Sequence, residues 1–159
     1  MERANVNDCE FDYEGDEPEG YRAGLYRPGP GLGAKETGMS VYELPPGQSI
    51  CPYHYEYAEE EWLVALGDGV VLRTPEGEEE LAAGDVAFFP TGPGGAHKVT
   101  NGGEQTVRVL MFSAVRWPAA TVYPDSDKIG VFTDPDRTDN LIARRSSGVD
   151  YFDGESDGG

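Results

Sequence analysis

The chain holds only two histidines, His54 and His97. Glu56 follows His54 by two positions and Glu60 follows it by six. On a strand, residues two apart share a face, so His54 and Glu56 point the same way while Tyr55 points opposite. If a further strand begins near Glu60, then Glu60, Trp62, Val64 and Leu66 line one face, and Glu59, Glu61, Leu63 and Ala65 line the other. Imidazole and carboxylate groups brought together hold a divalent metal and leave coordination positions for a substrate. That chemistry needs a scaffold able to bring His54, Glu56 and Glu60 to His97, and a closed barrel can do it.

The rest of the sequence predicts such a scaffold. Met39 to Leu44 reads as a strand stopped by Pro45-Pro46-Gly47. Trp62 to Leu66 and Val70 to Thr74 flank Gly67-Asp68-Gly69, a hairpin signal. Pro75-Glu76-Gly77 turns the chain again, Asp85 to Phe89 is apolar and ends at Pro90, and Thr106 to Ser113 is the strongest strand. Short strands separated by turns predict an all-β sandwich or barrel. Ala58 to Leu66 also fits a helical face with Gly67 as a C-terminal stop, but the hairpin signal beside it favours strand. The first 38 or so residues, with Arg27-Pro28-Gly29-Pro30-Gly31-Leu32-Gly33, read as an extended arm, and Asp153 to Gly159 read as a solvated tail.

Each histidine sits in a frame. The first is Gly47, six residues, His54-Tyr55-Glu56, three residues, Glu60, six residues, Gly67. The second is Gly84, five residues, Pro90-Thr91-Gly92, four residues, His97, three residues, Asn101. Together they resemble the two motifs of the cupin superfamily, over about residues 39 to 115. Tyr123-Pro124-Asp125-Ser126-Asp127-Lys128 resembles the segment that follows the barrel in single-domain cupins. The resemblance implies a double-stranded β-helix (jelly-roll) barrel over residues 39–132, an N-terminal arm over 1–38 and a C-terminal arm and acidic tail over 133–159. It implies metal ligation by His54, Glu56, Glu60 and His97.

Glu56 stands where the family's second histidine is expected. Three histidines and one glutamate around a 2+ ion leave +1, whereas two of each leave zero, a weaker Lewis acid with less pull on anions. Oxygen-rich ligation tilts the metal toward manganese or iron, with zinc or nickel also compatible. The implied function is action on a small polar molecule in the barrel mouth, of oxygenase, decarboxylase or isomerase type. The alternative is a non-catalytic small-ligand binding or sensing cupin, with or without metal. A homodimer is expected from the family.

The remaining candidates have plainer readings. Glu59 and Glu61 read as a solvated charge run. Cys51, of opposite parity to His54, reads as a surface or interface residue. Tyr53, Tyr55 and Tyr57 read as packing outside the barrel, and Trp62 as core. The loop at 92–95 lacks the frame of a phosphate cradle. Lys+Arg 12 against Asp+Glu 30 gives −18, which disfavours nucleic acid and anionic membrane as partners. Only Lys35, Lys98 and Lys128 are lysines, a halophilic-type acidic composition. No apolar run approaches the ~20 residues of a membrane span, and the N-terminus opens no apolar stretch, so a cytoplasmic location is expected. Cys9 and Cys51 are expected as free thiols.

Overall fold

The computed structural model describes residues 1–136 and 138–155. The strands are β1 (Gly24–Tyr26), β2 (Thr37–Leu44), β3 (Tyr55–Glu56), β4 (Glu61–Ala65), β5 (Val70–Thr74) and β6 (Gly77–Leu81). They continue with β7 (Val86–Phe89), β8 (Lys98–Asn101), β9 (Val107–Ala114), β10 (Ala119–Tyr123), β11 (Lys128–Phe132) and β12 (Leu141–Arg144). They form three antiparallel sheets, ordered β1-β2-β9-β4-β7, β12-β11-β10-β3 and β6-β5-β8. The architecture is an all-β jelly roll. The segment after β2 runs beside β8: Ile50 donates to the Val99 carbonyl, and bridges join Ser49 to Thr100 and His54 to His97. No helix among the described residues is long and apolar enough to cross a membrane.

Alternation explains which faces are buried. Leu63 and Ala65 on β4, Val70 and Leu72 on β5, and Val107 and Val109 on β9 meet Leu44, Leu81, Phe89 and Val99 in one core. A smaller cluster gathers Tyr53, Tyr55, Ala96 and Val122. Tyr53 and Tyr55 are buried in this separate cluster, while Tyr57 is exposed. Cys9 and Cys51 are free thiols.

Two expectations change. Trp62 to Leu66 and Val70 to Thr74 are strands, but they do not form a hairpin with each other. β4 pairs with β7 and β9, whereas β5 pairs with β6 and β8, so Gly67-Asp68-Gly69 carries the chain from one sheet to another. Gly69 takes φ +84° there, and a Cβ on it would press the Gly103 backbone. The second change is the phase of β4. Leu63 and Ala65 are fully buried and Trp62 is 45% exposed, so the inward set is the one containing Glu61. Trp62 is not core. The ladder of apolar partners on the inner side sets the phase, because a one-residue slip would expose Leu63 and Ala65 together.

Candidate metal centre

His54 and His97 face each other across an antiparallel bridge, exchanging both main-chain hydrogen bonds at 3.1 and 2.8 Å. Directly paired residues project to the same side of a ladder, and the two ring centroids lie 4.6 Å apart. Each ring is fixed by a local carbonyl. His54 Nδ1 donates to the Pro52 carbonyl at 3.0 Å, and His97 Nδ1 donates to the Gly95 carbonyl at 2.9 Å. Those bonds put the proton of a neutral imidazole on Nδ1 and leave each Nε2 lone pair free. Phe89 stacks on His97 with 3.7 Å between centroids, which fixes the ring plane.

Pro93–Gly95 forms the short turn that presents the Gly95 carbonyl to His97. A Cβ at Gly95 would collide with the Pro90 carbonyl, so only glycine fits.

The carboxylate that the structure brings together with both histidines is Glu61, whereas Glu60 points away. Glu61 Oε2 lies 3.4 Å from His97 Nε2, and Glu61 forms a compact potential metal group with His54 and His97. Glu60 is exposed and belongs to no such group among the described residues. The inward phase of β4 is the reason, and the alternation Glu61-Leu63-Ala65 was the signal available in the sequence. Glu56 does turn toward the site, with Oε1 3.9 Å from His54 Nε2, but both its oxygens accept the Thr121 hydroxyl, at 2.7 and 2.8 Å. Cys51 lines the cavity, with Sγ 3.5 Å from His54 Nδ1. Thr121 and Cys51 are site residues that sequence reasoning missed.

The site opens on a cavity of about 170 Å³ lined by His54, Glu61, His97, Cys51, Ser40, Tyr42 and Ser113, with Ile50, Val99 and Met111 as its apolar wall. A larger groove of about 750 Å³, lined by Glu43, Asp68, Glu80, Glu104 and Arg108, contains neither histidine, and its chemistry is that of an open acidic surface.

Burial governs the titration of these groups. It raises the Glu61 carboxyl to about 8, with Glu56 and Glu59 adding repulsion. It raises Glu56 to about 7, against the Thr121 hydrogen bond, which pulls the other way. It lowers His97 to about 4, helped by His54, and lowers His54 as well. The Cys51 thiol is pushed up to about 12, so it stays protonated.

The donor set fits a divalent cation. Two imidazole nitrogens and a carboxylate oxygen lie within 4.8 Å of one another. Glu61 Oε2 is buried without a partner. An orphaned buried acceptor calls for a proton or a cation. Two neutral histidines and one carboxylate around a 2+ ion leave +1 and an open face of the metal.

Residues 40–113 match the Cupin_2 family, described as a cupin domain. Among solved structures it is similar to a sugar phosphate isomerase of the cupin superfamily from Silicibacter pomeroyi. That match has 20% identity, a TM-score of 0.79 and coverage of 96% of this chain and 98% of the other. A provisionally assigned sugar phosphate isomerase from Acidithiobacillus ferrooxidans matches at 18% identity, with TM-score 0.81 and 91% of both chains covered. The polyketide cyclase RemF from Streptomyces resistomycificus matches at 24% identity, with TM-score 0.59 and coverage of 73% and 80%. At these identities the likeness is one of fold. No curated protein matches the chain.

Proposed function

We propose that the protein binds one divalent metal ion on His54, His97 and Glu61 and acts on a small polar molecule in the barrel mouth, as an isomerase rather than an oxygenase or decarboxylase. The observation that carries this is the unpartnered Glu61 Oε2 facing two histidines whose Nδ1 protons are already committed. A bound metal would polarise a substrate oxygen as a Lewis acid. Ser40, Tyr42 and Ser113 supply hydroxyls along the cavity wall to orient that substrate. The two structures described as sugar phosphate isomerases, similar over nine-tenths of this chain, favour isomerisation. No Lys or Arg is among the residues lining the inner cavity, so a phosphate group would lie outside it and the reacting end of the molecule is uncharged. Manganese and iron remain the favoured metals, because the ligand set is nitrogen and oxygen only.

Mass-spectrometric metal analysis of the natively purified protein tests the reading. One equivalent in the wild type and loss in His97→Ala are expected. NMR in D2O then tests isomerisation: the metal-loaded protein should place deuterium beside the carbonyl of small hydroxy-carbonyl compounds. Metal without exchange across such a panel would leave a binding protein.

We also propose a homodimer. Trp62, Phe88 and Phe112 are exposed neighbours in the β7-β4-β9 register, and Val86 extends the patch. Four large apolar side chains exposed side by side form a patch of the kind that marks an interaction surface. Pairing the patch with its copy across a two-fold axis would bury these side chains in an isologous interface.

A further inference from the structure

Glu56 lies beside the three-residue metal group but is held by something else. Its partner across the β3–β10 ladder is Thr121, in direct register. Thr121 is 3% exposed, and its Oγ1 lies 2.7 Å from one Glu56 oxygen and 2.8 Å from the other. A hydroxyl carries one proton, so this is a single donor shared between both carboxylate oxygens. The Glu56 backbone is pinned on its other side, where its carbonyl accepts from Gly92 N at 2.7 Å. Ligand atoms at adjacent corners of a metal with ~2.1 Å bonds lie about 3 Å apart. Glu56 Oε1 stands 3.9 Å from His54 Nε2, so the Thr121 hydroxyl, rather than distance, sets it apart from the three-residue group.

Resting on the metal reading above, we propose that Thr121 holds Glu56 off the metal. The protein then supplies three ligands, and Glu56 stays uncoordinated beside His54, tied to Thr121. An uncoordinated carboxyl there would be able to hold or move a proton beside the site, the role an isomerisation asks of a base. Thr121 is thus a positioning residue. Its hydroxyl decides whether the carboxylate that replaces the family's histidine acts as a ligand or as a base.

Cobalt(II) is the probe, followed by calorimetry and by its visible absorption, which reports coordination number. Removing the hydroxyl in Thr121→Val frees Glu56 to reach the metal. Binding should tighten about tenfold, the low end of the range for changes around metal ligands. The absorption should change as a fourth protein ligand joins. Thr121→Ser should behave as wild type, and Thr121→Val combined with Glu56→Gln should return to wild-type affinity and spectrum. Unchanged or weaker cobalt binding in Thr121→Val would overturn the proposal, the weaker result marking Thr121 as support for a ligating Glu56. If Thr121→Val does not fold, Glu56→Gln decides. Affinity within about twofold of wild type supports a carboxylate held off the metal, and a tenfold loss refutes it. A wild type that takes up no cobalt refutes the metal reading itself. Uptake with an unaltered Thr121→Val refutes only the role of Thr121.

Discussion

His54 and His97 form a directly hydrogen-bonded pair across an antiparallel bridge, so one backbone contact sets the positions of both imidazoles. Two of the three members of the candidate metal group are therefore fixed by main-chain pairing, and the third, Glu61, depends on the phase of β4.

That phase gives the first prediction. Glu61→Gln removes the only carboxylate in the compact group and should weaken divalent metal binding by about 100-fold or more, beyond the effect of altering a supporting residue. Glu60→Gln alters an exposed side chain and should leave affinity unchanged. Calorimetric titration with manganese or zinc of the two variants checks it, and the reverse order would restore Glu60 as the ligand.

Metal binding should strengthen as pH rises. The Glu61 carboxyl, raised to about 8, holds its proton at neutrality, and the metal must displace it. His97, lowered to about 4, is already neutral. Affinity should climb by about a decade per pH unit below pH 8 and level off above it. The metal-free fold should show the opposite trend. A carboxyl with a raised folded-state pKa binds more protons folded than unfolded, so its contribution is lost as pH rises from 4.5 through about 8. His97 opposes this only between about 4 and 6.5. Above 6.5 the unfolding midpoint of the metal-free protein should therefore fall with pH, and added metal should cancel the fall.

Gly95→Ala should damage both fold and site. The added Cβ meets the Pro90 carbonyl, and the turn that must yield is the one whose carbonyl orients His97. A loss of about 2 kcal/mol or more in stability is expected, with metal affinity down about tenfold. Urea unfolding together with metal titration separates the two effects. A variant with wild-type affinity would show that the Gly95 carbonyl is not needed to set the ring.

The acidic composition predicts a salt response. With a net charge of −18, added potassium chloride should raise the unfolding midpoint from low to molar salt, since screening shortens the Debye length to ~3 Å at 1 M. A midpoint that is flat or falling over that range would contradict it.

Much of this was legible in the residues. Strands at Met39–Leu44, Val70–Thr74 and Val86–Phe89 follow from apolar runs cut by Pro and Gly. The histidines stand out because there are only two. Glu60 is the expected ligand from its spacing to Gly67, whereas the alternation Glu61-Leu63-Ala65 favours Glu61. Burial of Leu63 and Ala65 decides it, and that depends on β9 and β7, both far along the chain. Thr121 was invisible for a similar reason, since it meets Glu56 only through the β3–β10 pairing. Cys51 escaped because the chain is not a regular strand between Ser49 and His54, so strict alternation does not apply there. The part of the tail at 156–159 lies outside the described residues.

The central claim is that His54, His97 and Glu61 together hold a metal ion. A crystal structure of the manganese-loaded protein, with anomalous scattering to locate the ion, tests it most directly. One strong peak is expected about 2.0–2.2 Å from His54 Nε2, His97 Nε2 and a Glu61 oxygen. A peak bound elsewhere, or a loaded crystal with none between the two histidines, would contradict it.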